Sequence, residues 1–201
     1  MRIKNIVFDI GNVLVAWQPQ KIVAQVFPEQ KSEQLTQKIF KSELWLDVNR
    51  GKLTERALLS TLEKNLGIEY SKLAKFMESI RASLEPIPGS QELLKQLYDA
   101  QWPLYALTDN THEILAYLRQ RYTFWQYFKG VVSSAEIGVL KPSPQIYQHL
   151  LQTYGLVAEE TLFLDDLAVN IQGARALGMQ GIVFNNTPQA LAELRKFEVL
   201  T

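Results

Sequence analysis

The feature that most constrains the fold of this chain is the alternation of short apolar segments with amphipathic helical segments. The apolar segments are rich in β-branched residues and are bounded by polar residues or glycine, which is typical of buried strands. The predicted strands are residues 3–8, 103–107, 130–132, 161–164 and 181–184. The predicted helices between and after them are residues 90–100, 111–121, 143–154, 168–177 and 188–197. This alternation predicts an α/β fold with a doubly wound, Rossmann-like parallel sheet core covered by helices on both faces.

Residues 18–83 interrupt the alternation, because they contain amphipathic helical patterns and no convincing strand. The helices predicted there are residues 31–42, 54–66 and 71–83. Between the first two of them, Gly51 supplies a loop and Thr54 a helix N-cap. The sequence therefore predicts an α/β core of residues 1–17 and 84–201, with a small α-helical cap of residues 18–83 inserted after the first strand.

Composition excludes several classes of function. The chain has 21 basic and 21 acidic residues, so it has no strong uniform charge to attract nucleic acid or an anionic membrane. It has no cysteine, which excludes disulfides, thiolate metal sites and a cysteine nucleophile. No apolar stretch is long enough for a transmembrane helix. We expect a soluble, cytoplasmic protein that binds neither nucleic acid nor membrane, and no protein partner is inferred.

Polar residues follow the predicted strands at the points where the strands end. Asp9 follows the first strand, Thr108 the second, and Asp165 with Asp166 the fourth, while Lys141 lies in the segment GVLKPSPQIY. In an open parallel sheet, ligands bind beyond the carboxyl ends of the strands. Three acids, a hydroxyl and a lysine are therefore expected to share one site.

These residue types favour phosphoryl chemistry assisted by a metal. Neighbouring carboxylates repel one another unless a cation neutralises them, and a set of oxygen ligands without His or Cys suits Mg²⁺. A carboxylate such as Asp9 can then attack a phosphate and form an aspartyl-phosphate. Lys141 would offset negative charge, and Thr108 would donate a hydrogen bond to a phosphate oxygen. Backbone N–H groups of the turn at residues 9–12 could complete the phosphate cradle, with Gly11 permitting close approach.

Four segments resemble, in their usual order, the four motifs of the haloacid dehalogenase-like hydrolase superfamily. They are FDIGNVL, LTDN, GVLKPSPQIY and LFLDDLAVNIQGARALGM, and they span the whole predicted core. The helical insert after the first motif resembles the first cap type of this family, which closes over the site and selects the leaving group of the substrate. The resemblance is to the phosphatase branch, so it implies a small phosphorylated substrate and Mg²⁺ as cofactor.

The resemblance also implies roles for individual residues. Asp9 would be the nucleophile, Thr108 a phosphate contact and Lys141 the charge-balancing lysine, and these three form the expected catalytic set. The expected magnesium ligands are Asp9, the backbone carbonyl of Gly11, Asp165 and Asp166. The expected substrate-binding residues are Gly11, Asn12, Thr108, Asp109, Asn110 and Lys141.

Three positions depart from the commonest pattern of the family. Gly11 stands where many of its phosphatases have a second aspartate as general acid and base. The form FD-x-G-N-V-L resembles a bacterial subgroup similar to alpha-D-glucose-1-phosphate phosphatase, which also carries glycine here, and this favours a sugar phosphate. The glycine also favours good leaving groups, such as an anomeric or acyl phosphate. Asp109 stands where asparagine is frequent, and Asn170 where many relatives have an acid.

Two other functions stay open at this point. A 2-haloacid dehalogenase resembles this fold but needs no metal, and the acidic pair argues against it because two carboxylates would repel an anionic substrate. A phosphate-binding protein with weak or lost turnover is suggested by Gly11, whereas the retained Asp9 and Lys141 argue against it.

Several further residues are weaker candidates for a role in the site. His112 and His149 lie in helical patterns without partner spacing, so packing or surface roles are expected. Trp17 and Trp45 are expected to be packing residues, although they lie where a cap could contact substrate. Arg50 is a weaker candidate for contact with phosphate.

Overall fold

The computed structural model describes residues 2–200 and contains a five-stranded parallel sheet. The strands are Asn5–Phe8 (β1), Leu104–Thr108 (β2), Gly130–Ser133 (β3), Thr161–Asp165 (β4) and Gln180–Val183 (β5). Across the sheet they follow the order β3-β2-β1-β4-β5, and every neighbouring pair is parallel. All the predicted strands are present, and the predicted α/β core is confirmed.

The first strand, β1, lies at the centre of the sheet. Ile6 pairs with Leu104 on one side and with Leu162 on the other. Ile6 and Phe8 point into the larger apolar core, whereas Val7 points into the smaller core on the opposite face. Both faces of the sheet are therefore covered, which explains why consecutive residues in the middle of its strands are apolar. The residue that follows β1 lies in the middle of the sheet's carboxyl edge.

The segment after β1 is helical. Its helices are Pro19–Val26 (α1), Ser32–Phe40 (α2), Glu43–Asn49 (α3), Glu55–Leu66 (α4) and Tyr70–Ala82 (α5). The predicted helices correspond to α2, α4 and α5, and Thr54 is the N-cap of α4 as predicted, since its hydroxyl accepts from the N–H of Ala57 at 3.2 Å. The sequence pattern does not predict α1 and α3. They have 8 and 7 residues, which is too short for a helical period to stand out.

The remaining helices cover the sheet. They are Ser90–Asp99 (α6), His112–Arg121 (α7), Ser134–Ile137 (α8), Pro144–Tyr154 (α9), Ala168–Arg175 (α10) and Thr187–Lys196 (α11). All except the four-residue α8 are predicted from the sequence. Among residues 2–200, the structure contains no helix with the length and apolar character required to cross a membrane.

A cluster of aromatic rings holds the helices after β1 together. The ring of Phe40 lies 4.7 Å from that of Trp45 and 5.9 Å from that of Phe76, measured between centroids. Trp17 stacks on Trp45 at 6.0 Å, and Phe27 lies 5.3 Å from Phe76. Such aromatic pairs each stabilise by about 0.5–1.5 kcal/mol beyond the area they bury. The cluster therefore gives the helical segment a firm apolar centre next to the carboxyl edge of the sheet.

The helical segment also contacts the rest of the chain directly. The hydroxyl of Ser134 donates to the carbonyl of Asn49 at 2.7 Å, and the N–H of Glu55 donates to the carboxylate of Glu113 at 3.2 Å. Gly51 has a φ of +66°, and a Cβ at this position would lie only 2.2 Å from the carbonyl oxygen of Ala135. Glycine is therefore required where the loop after α3 meets α8.

Candidate active site

The centre of the site is a buried cluster of a lysine and two carboxylates. The Nζ atom of Lys141 lies 2.9 Å from Oδ1 of Asp9 and 2.7 Å from Oδ2 of Asp165. It also donates to the carbonyl of Leu107 at 3.2 Å. Asp9 and Asp165 follow or end adjacent strands, β1 and β4, while Lys141 approaches from the loop before α9. The structure therefore brings together three residues that are far apart in sequence and were predicted to share one site.

Asp165 is held from several sides. The side-chain amide of Asn170 donates to both of its carboxylate oxygens at 3.0 Å, and the N–H of Leu167 donates to Oδ1 at 2.8 Å. The side chain of Asp165 is fully buried. These bonds explain the amide at position 170, because a carboxylate there could not donate to Asp165 unless it were protonated. Asn170 is thus a positioning residue for Asp165.

Asp166 lies on the open side of the cluster. Its Oδ2 accepts a hydrogen bond from the side-chain amide of Asn12 at 3.0 Å, and the oxygen of that amide accepts from the N–H of Trp17 at 2.8 Å. Asn12 has a φ of +52°, in the left-handed region, where Asn is one of the better tolerated residues. The turn after β1 thereby places Asn12 beside Asp166.

Asp9, Asp165 and Asp166 could together hold a metal ion. One carboxylate oxygen from each lies within 4.8 Å of the others. The donor set is all oxygen, which suits a hard cation such as Mg²⁺ better than zinc. Of these three carboxylates, Asp9 and Asp166 line the adjoining cavity, whereas Asp165 does not. The oxygens of Asp165 accept hydrogen bonds from Lys141 and Asn170.

Burial changes the pKa values of the charged groups in the cluster. Burial raises the pKa of Asp9 to about 7, against the opposing effect of Lys141, and the charge of Asp165 adds to the rise. Burial also raises the pKa of the Asp166 carboxyl. For Lys141, burial acts to lower the pKa, but the charges of Asp9, Asp165 and Asp109 outweigh it and hold the pKa above its ordinary value. A further cation would favour ionised carboxylates here.

The residues after β2 form the second side of the site. The side-chain amide of Asn110 donates to the hydroxyl of Thr108 at 2.7 Å. Both carboxylate oxygens of Asp109 accept from the backbone N–H of Lys141, each at 3.2 Å. Burial raises the pKa of Asp109 to about 6, opposed by Lys141. Asp109 therefore anchors the loop that carries Lys141, which gives a structural reason for an acid at this position.

A cavity of about 230 Å³ opens onto this cluster. Eight of the residues predicted for the site line it: Asp9, Gly11, Asn12, Thr108, Asp109, Asn110, Lys141 and Asp166. Trp17 and Trp45 also line it, whereas Arg50 is not part of the lining and instead pairs with Glu43 and Asp47. The lining residues that the sequence did not predict for the site are Val15, Asn49, Leu84, Ile114, Leu118, Leu167 and Asn170.

Comparison with known proteins supports the fold and the family that the sequence motifs predict. The sequence profile of haloacid dehalogenase-like hydrolases matches residues 3–178. Sesquiterpene phosphatase astK of Aspergillus oryzae is 29% identical over 96% of this chain and 95% of its own. Drimenol cyclase drtB of Aspergillus calidoustus is 23% identical over 96% of this chain, which spans only 36% of that protein.

A solved structure is similar over most of the chain. It is that of a family enzyme from Bacteroides thetaiotaomicron in complex with magnesium and inorganic phosphate, with a TM-score of 0.76 and 19% identity over 92% of this chain and 95% of that one. At this level of identity the likeness shows the fold. The family match covers most of the sequence, including all four predicted motifs. This chain therefore belongs to the haloacid dehalogenase-like hydrolase family.

Proposed function

We propose that this hydrolase is a magnesium-dependent phosphatase that cleaves small phosphomonoesters, with Asp9 as its nucleophile. The observation that carries the proposal is the ion-paired cluster of Asp9, Lys141 and Asp165, with Asp166 beside it, at the floor of a cavity on the carboxyl edge of the sheet. The similarity to a protein named as a phosphatase over nearly its whole length supports the same reaction class.

The contacts of Asp9 prepare it for attack. Its Oδ1 accepts from the N–H of Ile10 at 2.7 Å and lies 2.9 Å from Nζ of Lys141, so the orientation of the carboxylate is fixed. In the proposed first step a carboxylate oxygen of Asp9 bonds to phosphorus while the bond from phosphorus to the ester oxygen breaks. The leaving group departs with that electron pair as an alkoxide or phenoxide and takes a proton from water. A second water molecule then attacks phosphorus and loses a proton to solvent, the bond between phosphorus and Asp9 breaks, and inorganic phosphate leaves as the carboxylate is regenerated.

Other residues would bind the phosphoryl oxygens and the metal. Lys141 and Thr108 line the cavity and would contact phosphoryl oxygens, and the amide of Asn110 donates to the Thr108 hydroxyl. Asp9 and Asp166 would be the direct protein ligands of Mg²⁺, together with the carbonyl of Gly11. When bound, the ion supplies positive charge between these carboxylates and the phosphate. Asp165 does not line the cavity, and its carboxylate balances the charge of the Lys141 ammonium.

Gly11 leaves the site without the second aspartate that many relatives use to protonate the leaving group. Leaving groups that are stable as anions need less help of this kind, so the proposed enzyme favours activated esters. The same glycine makes a phosphate-binding protein with little turnover the second candidate. A metal-free dehalogenase is a poorer fit, because Asp166 would face an anionic substrate without a cation to neutralise it.

We also propose that residues 18–83 act as a cap over the site. Trp45 and Asn49 of α3 line the cavity together with Leu84, which follows α5. The cap would thus form part of the surface that meets the leaving group and would exclude bulk water when closed. The sequence resemblance favours a sugar phosphate, whereas the name of the Aspergillus oryzae relative refers to a sesquiterpene. Both kinds of ester belong in a substrate panel.

The test is phosphate release from p-nitrophenyl phosphate and from a panel of sugar, acyl and terpenoid phosphates, with MgCl₂ or with EDTA. We expect turnover that requires Mg²⁺ and that falls at least about 1,000-fold in Asp9→Asn. Asp99→Asn is the matched control, because Asp99 lies on the surface of α6 and pairs only with Lys95 among the ion pairs of the described chain.

Folding of each variant is checked by circular dichroism and thermal unfolding. Turnover that survives in Asp9→Asn would contradict the assignment of the nucleophile. Phosphate binding without turnover by the folded wild-type chain would favour the second candidate. Chloride release from a 2-haloacid without Mg²⁺ would favour the dehalogenase.

A further inference from the structure

The cavity has two chemically different sides. One side, here called the floor, consists of the polar site residues described above: Asp9, Gly11, Asn12, Thr108, Asp109, Asn110, Lys141, Asp166 and Asn170. The side chains that line the rest of it are almost all apolar: Val15, Trp17, Trp45, Leu84, Ile114, Leu118 and Leu167. Asn49 is the one polar lining residue that lies outside the floor.

These apolar residues come from separate parts of the chain. Trp17 belongs to the segment after β1, Trp45 to α3 and Leu84 to the segment after α5, while Ile114 and Leu118 lie one turn apart on α7 and so share one face of that helix. Their convergence on one cavity does not follow from any single amphipathic element. Together they form the apolar part of the cavity lining, here called the wall, in which Trp17 and Leu167 are the more exposed side chains.

The two tryptophans make part of this wall rigid and flat. The rings of Trp17 and Trp45 are stacked with an angle of 19° between their planes, and Phe40 packs edge-on against both at 5.5 and 4.7 Å. The backbone of Trp17 is tied to the floor through its hydrogen bond to Asn12. A preorganised aromatic wall binds apolar groups without first having to become ordered.

The polar exception, Asn49, already uses its side-chain nitrogen for a hydrogen bond within the chain. Its side-chain amide donates to the carbonyl of Trp45 at 2.8 Å, and the residue is buried. A sugar in this cavity would bring several hydroxyl groups against tryptophan, leucine and isoleucine. Each hydroxyl that loses water without gaining a partner disfavours binding. An apolar group would lose no hydrogen bond and would gain contact with the wall.

From this wall we infer that the substrate's leaving group is a compact apolar one, so that the enzyme cleaves a phosphate monoester of an apolar cyclic alcohol or phenol. The inference rests on the proposed function and narrows it to a substrate class. Leu167, about half exposed, is the most exposed of the apolar lining residues and extends the apolar surface toward solvent. The cavity volume of about 230 Å³ is below the range of about 300–1,000 Å³ typical of drug-sized ligands, which limits the size of the group.

Binding of a matched pair of esters tests this inference without requiring turnover. The pair is cyclohexylmethyl phosphate and glucose 6-phosphate. Each has its phosphate on a primary carbon attached to a six-membered ring, and the two differ chiefly in the hydroxyl groups of the sugar. Their dissociation constants are measured by calorimetry on the 201-residue chain carrying Asp9→Asn, with Mg²⁺ present and inorganic phosphate as the reference. We expect cyclohexylmethyl phosphate to bind at least about tenfold more tightly than glucose 6-phosphate. Equal affinity, or tighter binding of the sugar, would overturn the inference.

A variant of the wall provides the second measurement. In Trp17→Ala, the ratio of kcat/KM for phenyl phosphate to kcat/KM for acetyl phosphate is expected to fall about tenfold, because acetyl phosphate has almost no apolar group to contact the wall. Trp102→Ala is the matched control: Trp102 is also partly buried, but it donates to the carbonyl of Val199 away from the cavity. The control is expected to keep the wild-type ratio.

The results separate the inference from the proposed function. Mg²⁺-dependent turnover of acetyl phosphate that requires Asp9, combined with a preference for sugar esters, would retain the phosphatase and reject the apolar leaving group. Tighter binding of apolar esters without turnover of any phosphate would support an apolar binding group and reject the proposed phosphatase activity. An unchanged ratio in folded Trp17→Ala would count against the wall as the source of selectivity.

Discussion

The floor and the wall of the cavity are built in opposite ways. Apart from Lys141, which comes from the loop before α9, the charged groups of the floor lie at or just beyond the ends of central strands. They are fixed by ion pairs and hydrogen bonds at 2.7–3.2 Å. The wall consists of apolar side chains from α3 and α7 and from the segments after β1, α5 and β4, and its two tryptophans are held by packing between aromatic rings. The proposed phosphoryl chemistry is thus tied to the topology of the sheet, whereas the proposed recognition of the leaving group depends on how the inserted helices pack.

We expect the floor and the wall to tolerate substitutions differently. In the floor a lost charge leaves a buried partner without compensation, so single substitutions have large effects. In the wall a lost contact can be partly replaced by neighbouring apolar groups, and the effect is smaller and depends on the substrate. The predictions below test this contrast, from the largest expected effect to the smallest.

Lys141→Met removes the central charge of the floor while keeping an unbranched apolar side chain. Asp9 and Asp165 would then face each other without the ammonium that lies 2.9 and 2.7 Å from them. We expect kcat for p-nitrophenyl phosphate to fall by at least about 100-fold and the free energy of unfolding to fall by about 3–5 kcal/mol. Steady-state kinetics and urea denaturation at pH 8 provide the measurements.

The control for this change is Lys95→Met, which removes an exposed lysine that pairs with Asp99 on α6. Both activity and stability are expected to stay close to those of the wild type. Retention of full activity in Lys141→Met would show that the ammonium is not needed for charge balance, and the contrast between floor and wall would then be lost.

Gly51→Ala tests the junction between the inserted helices and the core. Gly51 and Gly67 both have a φ of +66°, but a Cβ at Gly51 would lie 2.2 Å from the carbonyl oxygen of Ala135, whereas nothing lies within 4 Å of one at Gly67. Both alanine variants are expected to lose about 1 kcal/mol from the left-handed backbone conformation. Only Gly51→Ala is expected to lose about 2 kcal/mol more, because α3 and α8 must move apart.

Urea denaturation of the two variants gives this difference directly. The displaced α3 should also carry Trp45 away from the cavity, so KM for phenyl phosphate is expected to rise in Gly51→Ala and to stay constant in Gly67→Ala. Equal stability and equal KM in the two variants would mean that the wall does not depend on this junction.

The pH dependence of magnesium binding tests the floor by itself. Burial raises the pKa of Asp9 to about 7, so most of its carboxyl is protonated at pH 6 and ionised at pH 8. A metal ligand must be ionised, and the proton therefore competes with Mg²⁺ below the pKa. From pH 8 to pH 6 the apparent dissociation constant for Mg²⁺ should rise roughly tenfold, which calorimetry can measure. Asp9→Asn should weaken this dependence and leave only the part that comes from Asp166, whose pKa burial also raises. A flat profile in the wild type would place the ionisation of Asp9 outside this range.

Much of the fold follows from local patterns in the sequence. The strands are short apolar segments with clear boundaries, and α2, α4 and α5 show a helical period over 9 to 13 residues, so both kinds of element stand out. The helices α3 and α8 do not, because their 7 and 4 residues cover two turns or fewer. They are stabilised by what they meet: the hydroxyl of Ser134, in α8, donates to the carbonyl of Asn49 in α3.

The sequence by itself determined the floor of the site. Asp9, Thr108, Asp165 and Asp166 lie at or directly after strand ends, and parallel strands bring such positions to one edge of a sheet whatever the details of packing. Only the tertiary structure decided the wall and the partners behind the floor. The hydrogen bonds from Asn170 to Asp165 and the convergence of Trp17, Trp45, Leu84, Ile114 and Leu118 arise from contacts between distant segments. An apolar residue in a sequence looks the same whether it faces a core or a cavity, and only the packing of the whole chain separates the two.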